Sequence, residues 1–246
     1  MTRHTAAMLV IGDEILSGRT RDANMHHLAG QLTEKGIDLQ EVRVISDDRT
    51  AIITAVNALR TAYDFVFTSG GIGPTHDDIT ADCVAAAFEA HIDVRADAHA
   101  LLAAHYAAQN KEFNTARQRM ARIPDGAILI ENPVSIAPGF QMENVYVMAG
   151  VPSVFQAMLA SVLAQIADGA QLISRSIQIH MGEGDLAAPL GQIALDHPQV
   201  SIGSYPFQLN GQHGANIVLR SAQIAALDLA CTAVAQAFAA HISSGE

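Results

Sequence analysis

Between Phe65 and Thr80 the chain reads FVFTSGGIGPTHDDIT, and no other stretch restricts the fold as much. The apolar run Phe65-Val66-Phe67 leads through Thr68 and Ser69 into Gly70, Gly71 and Gly73, then a proline, then two carboxylates placed just before a helical pattern. That order describes a strand, a tight loop and a helix start, and it suits an anion. Glycines let backbone N–H groups approach a phosphate with no Cβ in the way, and a helix start adds unpaired N–H groups and a positive dipole end. Asp77 and Asp78 supply hard oxygen ligands, so the loop can seat a divalent cation between protein and phosphate.

Upstream, two more strands end in acids. Thr5 to Ile11 (TAAMLVI) is a continuous apolar run of the kind buried on both faces in a parallel sheet, and it ends in Gly12-Asp13-Glu14. Asp22 reads as the cap of a helix that carries Met25, Leu28 and Leu32 and closes at Gly36. Leu39 to Ile45 is a strand followed by Ser46-Asp47-Asp48, and Thr50 to Tyr63 has helical spacing. Strand and helix alternating through short links predict a doubly wound α/β layer, in which ligands bind outside the carboxyl ends of the strands. Three carboxylate pairs, Asp13 and Glu14, Asp47 and Asp48, Asp77 and Asp78, are therefore expected on one rim. Taken alone, Asp48 reads more simply as a helix cap; the convergence argues for a ligand role.

Beyond the loop the pattern predicts a helix over Ile79 to Phe88, an extended piece at His91 to Arg95, an alanine-rich helix from Asp97 to about Lys111, and another over Asn114 to Ala121. Ala127 to Ile130 is a strand, and Ala137 to Met142 with Val145 to Met148 reads as a hairpin. Ala149-Gly150-Val151-Pro152 is a second glycine/proline loop after a strand, with Ser153 expected to cap the helix that follows. Composition shifts at Asp168-Gly169-Ala170, so residues 1–168 and 169–246 are read as a main domain and a smaller α/β domain. In the second, strands are expected at Ser174 to His180, Val200 to Pro206 and Asn216 to Arg220, with helices at Asp185 to Leu195 and Ile224 to Ala240.

Charge narrows the ligand. A formal net charge of -11 with only 14 basic residues argues against an extended nucleic-acid footprint or an anionic membrane surface, so a phosphate must be held by backbone dipoles, a metal or a few arginines. Arg19, Arg21 and Arg49 lie near the rim in sequence. Cys83 and Cys231 sit in apolar helical patterns and read as buried reduced thiols, which with the lack of a signal segment or a membrane-length apolar run suggests a cytoplasmic protein. There is no G-x-x-x-x-G-K-[ST], no G-x-S-x-G and no H-E-x-x-H, and GGIGPT lacks the third glycine of a dinucleotide fingerprint. Of the 11 histidines, His76 stands out because it lies inside the glycine loop, where it would serve as phosphate donor or general acid, or simply be solvated.

Several stretches together resemble the molybdopterin-binding-domain superfamily: GDEILSGRTRDAN from Gly12, VISDD at Val44, TSGGIGPTHDDIT at Thr68, IPDGA at Ile123, NPVSIAPGF at Asn132 and AGVP at Ala149. More narrowly they are similar to the N-terminal region of the CinA branch and the corresponding domain of eukaryotic FAD synthase. The resemblance implies the three-layer, mostly parallel α/β sheet of the MoaB and Mog proteins, with a smaller C-terminal α/β domain, and a homo-oligomer, dimer or trimer. It further implies that the acid at Asp78 is critical and that an acid at Asp47 or Asp48 assists. The CinA-like branch is associated with metal-dependent cleavage of the ADP-ribose pyrophosphate, and the FAD synthase domain with FAD hydrolysis. Asp78, Asp77, Asp48 and His76 are then the catalytic candidates. Asp13, Asp48, Asp77 and Asp78 are the candidate ligands of Mg, Mn or Co. Gly12, Ser69, Gly70, Gly71, Gly73, Thr75, Thr80, Pro138, Gly139 and Gly150 are the candidate phosphate or ligand contacts. The leading expectation is a hydrolase of a nucleotide pyrophosphate; the rivals are a protein that binds or adenylylates molybdopterin, and a non-catalytic nucleotide sensor. Ser135-Ile136 replaces the Gly-Thr that the family commonly carries before Ala-Pro-Gly.

Overall fold

The opening apolar run forms strand β1 (Thr5–Ile11), buried on both faces from Ala6 onward. It pairs in parallel with β2 (Asp38–Ile45) on one side and β3 (Phe65–Ser69) on the other. A central strand with neighbours on both sides exposes neither edge nor face, which is why its sequence has no polar alternation. The computed structural model that shows this describes residues 3–209 and 212–242. The chain divides into two compact units, Met1–Ala170 and Gln171–Glu246.

In the first unit the sheet runs β2-β1-β3-β8-β7-β6, where β6 is Ile128–Ile130, β7 Gly139–Met142 and β8 Val145–Met148. The first four strands are parallel and the last two complete the sheet as antiparallel neighbours. Between them lie α1 (Asp13–Leu16), α2 (Asn24–Glu34), α3 (Arg49–Ala62), α4 (Thr80–Ala87), α5 (Ala96–Ala108), α6 (Thr115–Gln118) and α7 (Pro152–Leu163). A small antiparallel pair, β4 (Ile92–Val94) with β5 (Arg122–Pro124), stands apart from the main sheet.

The period of two along β1 splits the core in half. Ala7, Leu9 and Ile11 point to a layer built by Ile52, Val56 and Leu59 of α3 with Cys83 and Val84 of α4. Ala6, Met8 and Val10 point to the opposite layer, filled by Leu28 and Leu32 of α2 and by Phe155, Met158, Leu159 and Val162 of α7. Helices thus cover both faces in three layers. Each large apolar side chain fully buried this way contributes roughly 1.5–3 kcal/mol of transfer free energy.

The ends of several elements differ from expectation, for local reasons. Helix α7 begins at Pro152 with Val151 as its cap residue, so Ser153 is not the cap. Proline's fixed φ and missing N–H suit the first helical position. Asp22 does not cap from the residue adjoining α2; its carboxylate instead accepts the Met25 N–H at 2.8 Å. The stretch expected to be helical over Asn114 to Ala121 holds only α6 and a single 3-10 turn, Arg119–Ala121.

The second unit contains β9 (Ile173–Ile179), α8 (Glu183–Asp196), β10 (Ser201–Leu209), β11 (Gln212–Ser221) and α9 (Ile224–Ala237). Its sheet is antiparallel throughout, in the order β10-β11-β9. Strands β10 and β11 are longer than expected because each continues the other's ladder. Ile179, Ile217 and Leu219 pack with Leu186 and Leu190 of α8 and with Leu227 and Val234 of α9. No helix among the described residues is long and apolar enough to cross a membrane.

Candidate functional site

The carboxyl ends of β1, β2, β3 and β8 stop at one level: Ile11 pairs with Ile45, Val10 with Ser69, and Ser69 with Met148. The loops that leave these ends open around a cavity of about 570 Å³. This is the crevice where open α/β sheets bind ligands, and the volume suits a nucleotide-sized molecule. Gly12 and Glu14 line it after β1, Asp47 after β2, Gly70 to Gly73 with Asp77 and Asp78 after β3, and Ala149 to Pro152 after β8. Asn132, Ser135 and Ala137 form another part of the wall.

Four of the six rim carboxylates reach this cavity. Asp47 accepts the backbone N–H of Asp13 at 3.0 Å, which ties the ends of β1 and β2 together. Burial pushes the Asp47 carboxyl above its usual range; the Asp13 N–H opposes that, and the charges of Asp13, Glu14 and Asp77 add to it. Asp78 is held through one oxygen by Thr75, whose backbone N–H donates at 2.8 Å and whose hydroxyl also donates. Asp77 is held below the usual carboxylate range, first by the Thr75 hydroxyl, then by its own backbone N–H and the charge of His76. Thr75 thus fixes Asp78 through two hydrogen bonds to one oxygen.

The other candidates occupy different positions. Asp48 is the cap of α3, accepting the Ala51 N–H at 2.8 Å, and does not line the cavity. Its extended backbone just before the helix aims its carboxylate at the first turn. The Asp13 side chain is also outside the lining; only its backbone N–H takes part. His76 is 98% exposed at the tip of the loop, 3.8 Å from Asp77, and belongs to solvent rather than to the cavity wall. Pro138 borders a smaller cavity behind Gly73 and Asp78. Gly139 is a packing glycine: a Cβ there would stand 2.3 Å from the Val147 carbonyl.

The loop glycines serve the fold before they serve any ligand. Gly70 has φ +111 and a Cβ would stand 2.2 Å from the Ile11 carbonyl; Gly71 has φ +68 and a Cβ would stand 2.1 Å from Thr80 Oγ1. The Gly70 N–H is spent on the Met148 carbonyl at 3.1 Å. By contrast, the N–H groups of Gly71, Ile72 and Gly73 donate to nothing among the described residues. These, rather than the Gly70 amide, are the donors the loop offers. Thr80 is fully buried beneath the loop, and Ser69 is buried as an acceptor for Asn24.

Sequence reasoning passed over Asn24 and Asn132. Buried Asn24 donates from Nδ2 to Ser69 Oγ at 2.8 Å and to the Gly150 carbonyl at 2.7 Å, so it clamps the loop after β3 to the loop after β8. Asn132 gives Nδ2 to the Ala137 carbonyl at 2.7 Å and receives the Val134 and Ser135 N–H groups, shaping its own loop. Both lie inside stretches that carry the family resemblance, yet nothing in the spacing marks Asn24 as a junction of distant loops or Asn132 as the organiser of its own.

Among the described residues no three His, Cys, Asp or Glu side chains come together in a way that could hold an ion. A cage built from protein alone is therefore absent there. A hard cation there would take only one or two of the lining carboxylates Glu14, Asp47, Asp77 and Asp78 and complete its shell with water and ligand phosphates, which is magnesium's usual manner.

Residues 7–168 match the model of a family described as a probable molybdopterin binding domain, and residues 171–245 match the FAD synthase middle domain. A protein of Archaeoglobus fulgidus is 32% identical over 81% of this chain and 84% of its own length. A probable FAD synthase of Caenorhabditis elegans is 30% identical over 98% of this chain, but the chain spans only 51% of that relative. Among solved structures, the protein CinA of unknown function from Thermoplasma acidophilum superposes with a TM-score of 0.61 at 30% identity, covering 66% of this chain and 97% of that one. With two-thirds of its length matched and the cavity built from the shared stretches, the chain belongs to the family of probable molybdopterin binding domains, here followed by a segment of FAD synthase middle-domain type.

Proposed function

We propose that the protein hydrolyses a nucleotide pyrophosphate of the ADP-ribose or FAD class, assisted by a divalent cation that arrives with the diphosphate. One observation carries this reading: the main cavity is lined by Glu14, Asp47, Asp77 and Asp78 and by the free amides of Gly71 to Gly73, with no lysine, arginine or histidine among the described residues of its wall. An anion bound among four carboxylates needs positive charge from elsewhere, and a cation held by one or two of them would supply it. When bound, the cation provides Lewis acidity at the phosphoryl oxygens.

The chain's own groups have distinct parts. The Gly71 to Gly73 amides donate to non-bridging phosphoryl oxygens, whose charge grows in the transition state. Asp78, fixed by Thr75, and Asp77 would hold the cation beside the diphosphate, and Asp47 and Glu14 complete the acidic lining. Asp47, with its raised proton affinity, is the group suited to take a proton from the attacking water. Water adds to one phosphorus and the P–O–P bridge breaks, giving AMP and the other half of the molecule as its monophosphate.

The match to a molybdopterin-binding family favours a second reading, in which the same cavity binds or adenylylates a pterin. The two separate in one experiment. Protein incubated with ADP-ribose and with FAD, each with Mg²⁺, Mn²⁺ or Co²⁺, is expected to release AMP, and Asp78→Ala to abolish the release. Absence of AMP under every condition, or full activity in Asp78→Ala, overturns the hydrolase reading. Tight pterin binding in the same preparation would then establish the second, and metal-independent nucleotide binding without turnover would indicate a sensor.

A further inference from the structure

Beside the Gly73–Asp78 wall lies a second, smaller cavity, which shares Ile72, Gly73, Asp78 and Met120 with the main one and is also bordered by Arg119 and Arg122. Its two arginines differ in one respect. Arg122 is neutralised by Asp82, with Asp93 at 3.9 Å. Arg119 has no carboxylate within ion-pair distance among the described residues. Its Nη2 donates to the Asp78 carbonyl at 3.3 Å, and its Nε is buried with no acceptor. In a chain of net charge -11, the partly buried cations Arg3, Lys35, Arg43 and Arg95 each hold an acid, and Arg117 rests on the Glu112 carbonyl and the Tyr106 ring.

A half-buried guanidinium with an orphaned N–H and no counter-ion is an expensive arrangement in a folded protein. The acids beside it do not pair with it. Asp82 is engaged by Arg122, and Asp78 has one oxygen committed to Thr75. A ligand oxyanion entering from the shared Gly73–Asp78 edge supplies both the missing charge and acceptors for the planar fork, which matches phosphate geometry.

We infer that Arg119 is an anion-binding residue that takes a phosphate group of the ligand at the edge shared by the two cavities. The inference rests on the nucleotide reading above for the identity of the ligand, but not for the presence of an anion subsite. It also gives the acidic cavity a polarity: the cation lies on the carboxylate side, and the far phosphate oxygens lie toward Arg119.

The test is calorimetric titration of the whole chain with inorganic pyrophosphate, AMP and adenosine, in the native protein and in Arg119→Gln and Arg119→Lys. Arg119→Gln is expected to weaken pyrophosphate and AMP about tenfold or more, the loss of one charge-assisted contact, and to leave adenosine unchanged. Arg119→Lys, which keeps the charge but not the fork, is expected to fall between them. Equal phosphate affinity in native and Arg119→Gln protein, or no phosphate binding to the native protein at all, overturns the inference. If Arg119→Gln does not fold, the Arg119 Nε–H resonance in the native protein carries the test: a shift on saturation with pyrophosphate supports the inference, and an unmoved resonance overturns it. Arg119-dependent pyrophosphate binding without AMP release from any nucleotide would sustain this inference while removing the hydrolase reading. AMP release together with unaltered binding in Arg119→Gln would do the reverse.

Discussion

The side-chain amide of Asn24 donates to the carbonyl oxygen of Gly150 at 2.7 Å, joining the start of α2 to a loop 126 positions later in the chain. The same nitrogen donates to Ser69 Oγ, so one buried residue sets the separation of the two glycine loops that face the cavity. Replacing Asn24 by Ala leaves the buried Ser69 hydroxyl and the Gly150 carbonyl without their donor, which should lower stability by about 1–3 kcal/mol. Asn24→Asp puts an acceptor against an acceptor and is expected to be worse. Denaturant unfolding followed by circular dichroism checks both, and a loss under about 0.5 kcal/mol for Asn24→Ala would show that the clamp is not energetically significant.

Gly71→Ala should be destabilising for two separable reasons: a backbone at φ +68 and a methyl 2.1 Å from Thr80 Oγ1. The backbone alone accounts for roughly 1–2 kcal/mol. The collision adds to it and is partly relieved in the double variant with Thr80→Ala, so a double-mutant cycle should return a favourable coupling. Strict additivity of the two changes would mean that the loop moves away from Thr80 rather than pressing on it.

Ile136 has φ +66, a region that a β-branched side chain rarely adopts. Strain of this kind costs on the order of 1–3 kcal/mol, whereas the extra unfolded-state freedom of glycine costs about 0.5–1 kcal/mol. Ile136→Gly is therefore expected to raise the melting temperature by a few degrees. A lower melting temperature would show that packing at this position outweighs the backbone.

Burial pushes the Cys83 thiol up to about 11, so at pH 8 it stays protonated in the folded protein. Native protein at that pH should resist alkylation at Cys83 and become modified when denaturant is added. The linkage has a definite sign. The unfolded thiol ionises from its ordinary value near 9.0 while the folded one does not, so this group's contribution to stability is intact below that pH and is lost as pH rises toward 11. Cys83→Ala should remove that part of the alkaline loss, which pH-dependent unfolding curves would measure.

Much of the first unit was legible because its signals are local. β1 has no polar alternation, and that alone places it in the middle of a parallel sheet; the glycine loop after Phe67 marks a strand end followed by a helix start. The position of the rim followed from the rule that such sheets bind ligands at their carboxyl ends, and Asp47, Asp77, Asp78 and Glu14 do line one cavity there. Side-chain direction was not legible. Asp47 and Asp48 are adjacent and chemically identical, yet one faces the cavity and the other caps α3. A single residue step in a connection turns a carboxylate from ligand wall to helix end.

By itself, the sequence determined the α/β alternation, the doubly covered strand, the glycine loop and the excess of acid over base, because each depends on residues close together in the chain. Only the tertiary structure decided which acids share a cavity, which loop amides remain free, that Asn24 bridges two loops, and that Arg119, beside Asp78, meets no counter-ion among the described residues. Those outcomes depend on distances between residues tens to more than a hundred positions apart, and such distances are set by how the strands align and the helices pack rather than by any local preference.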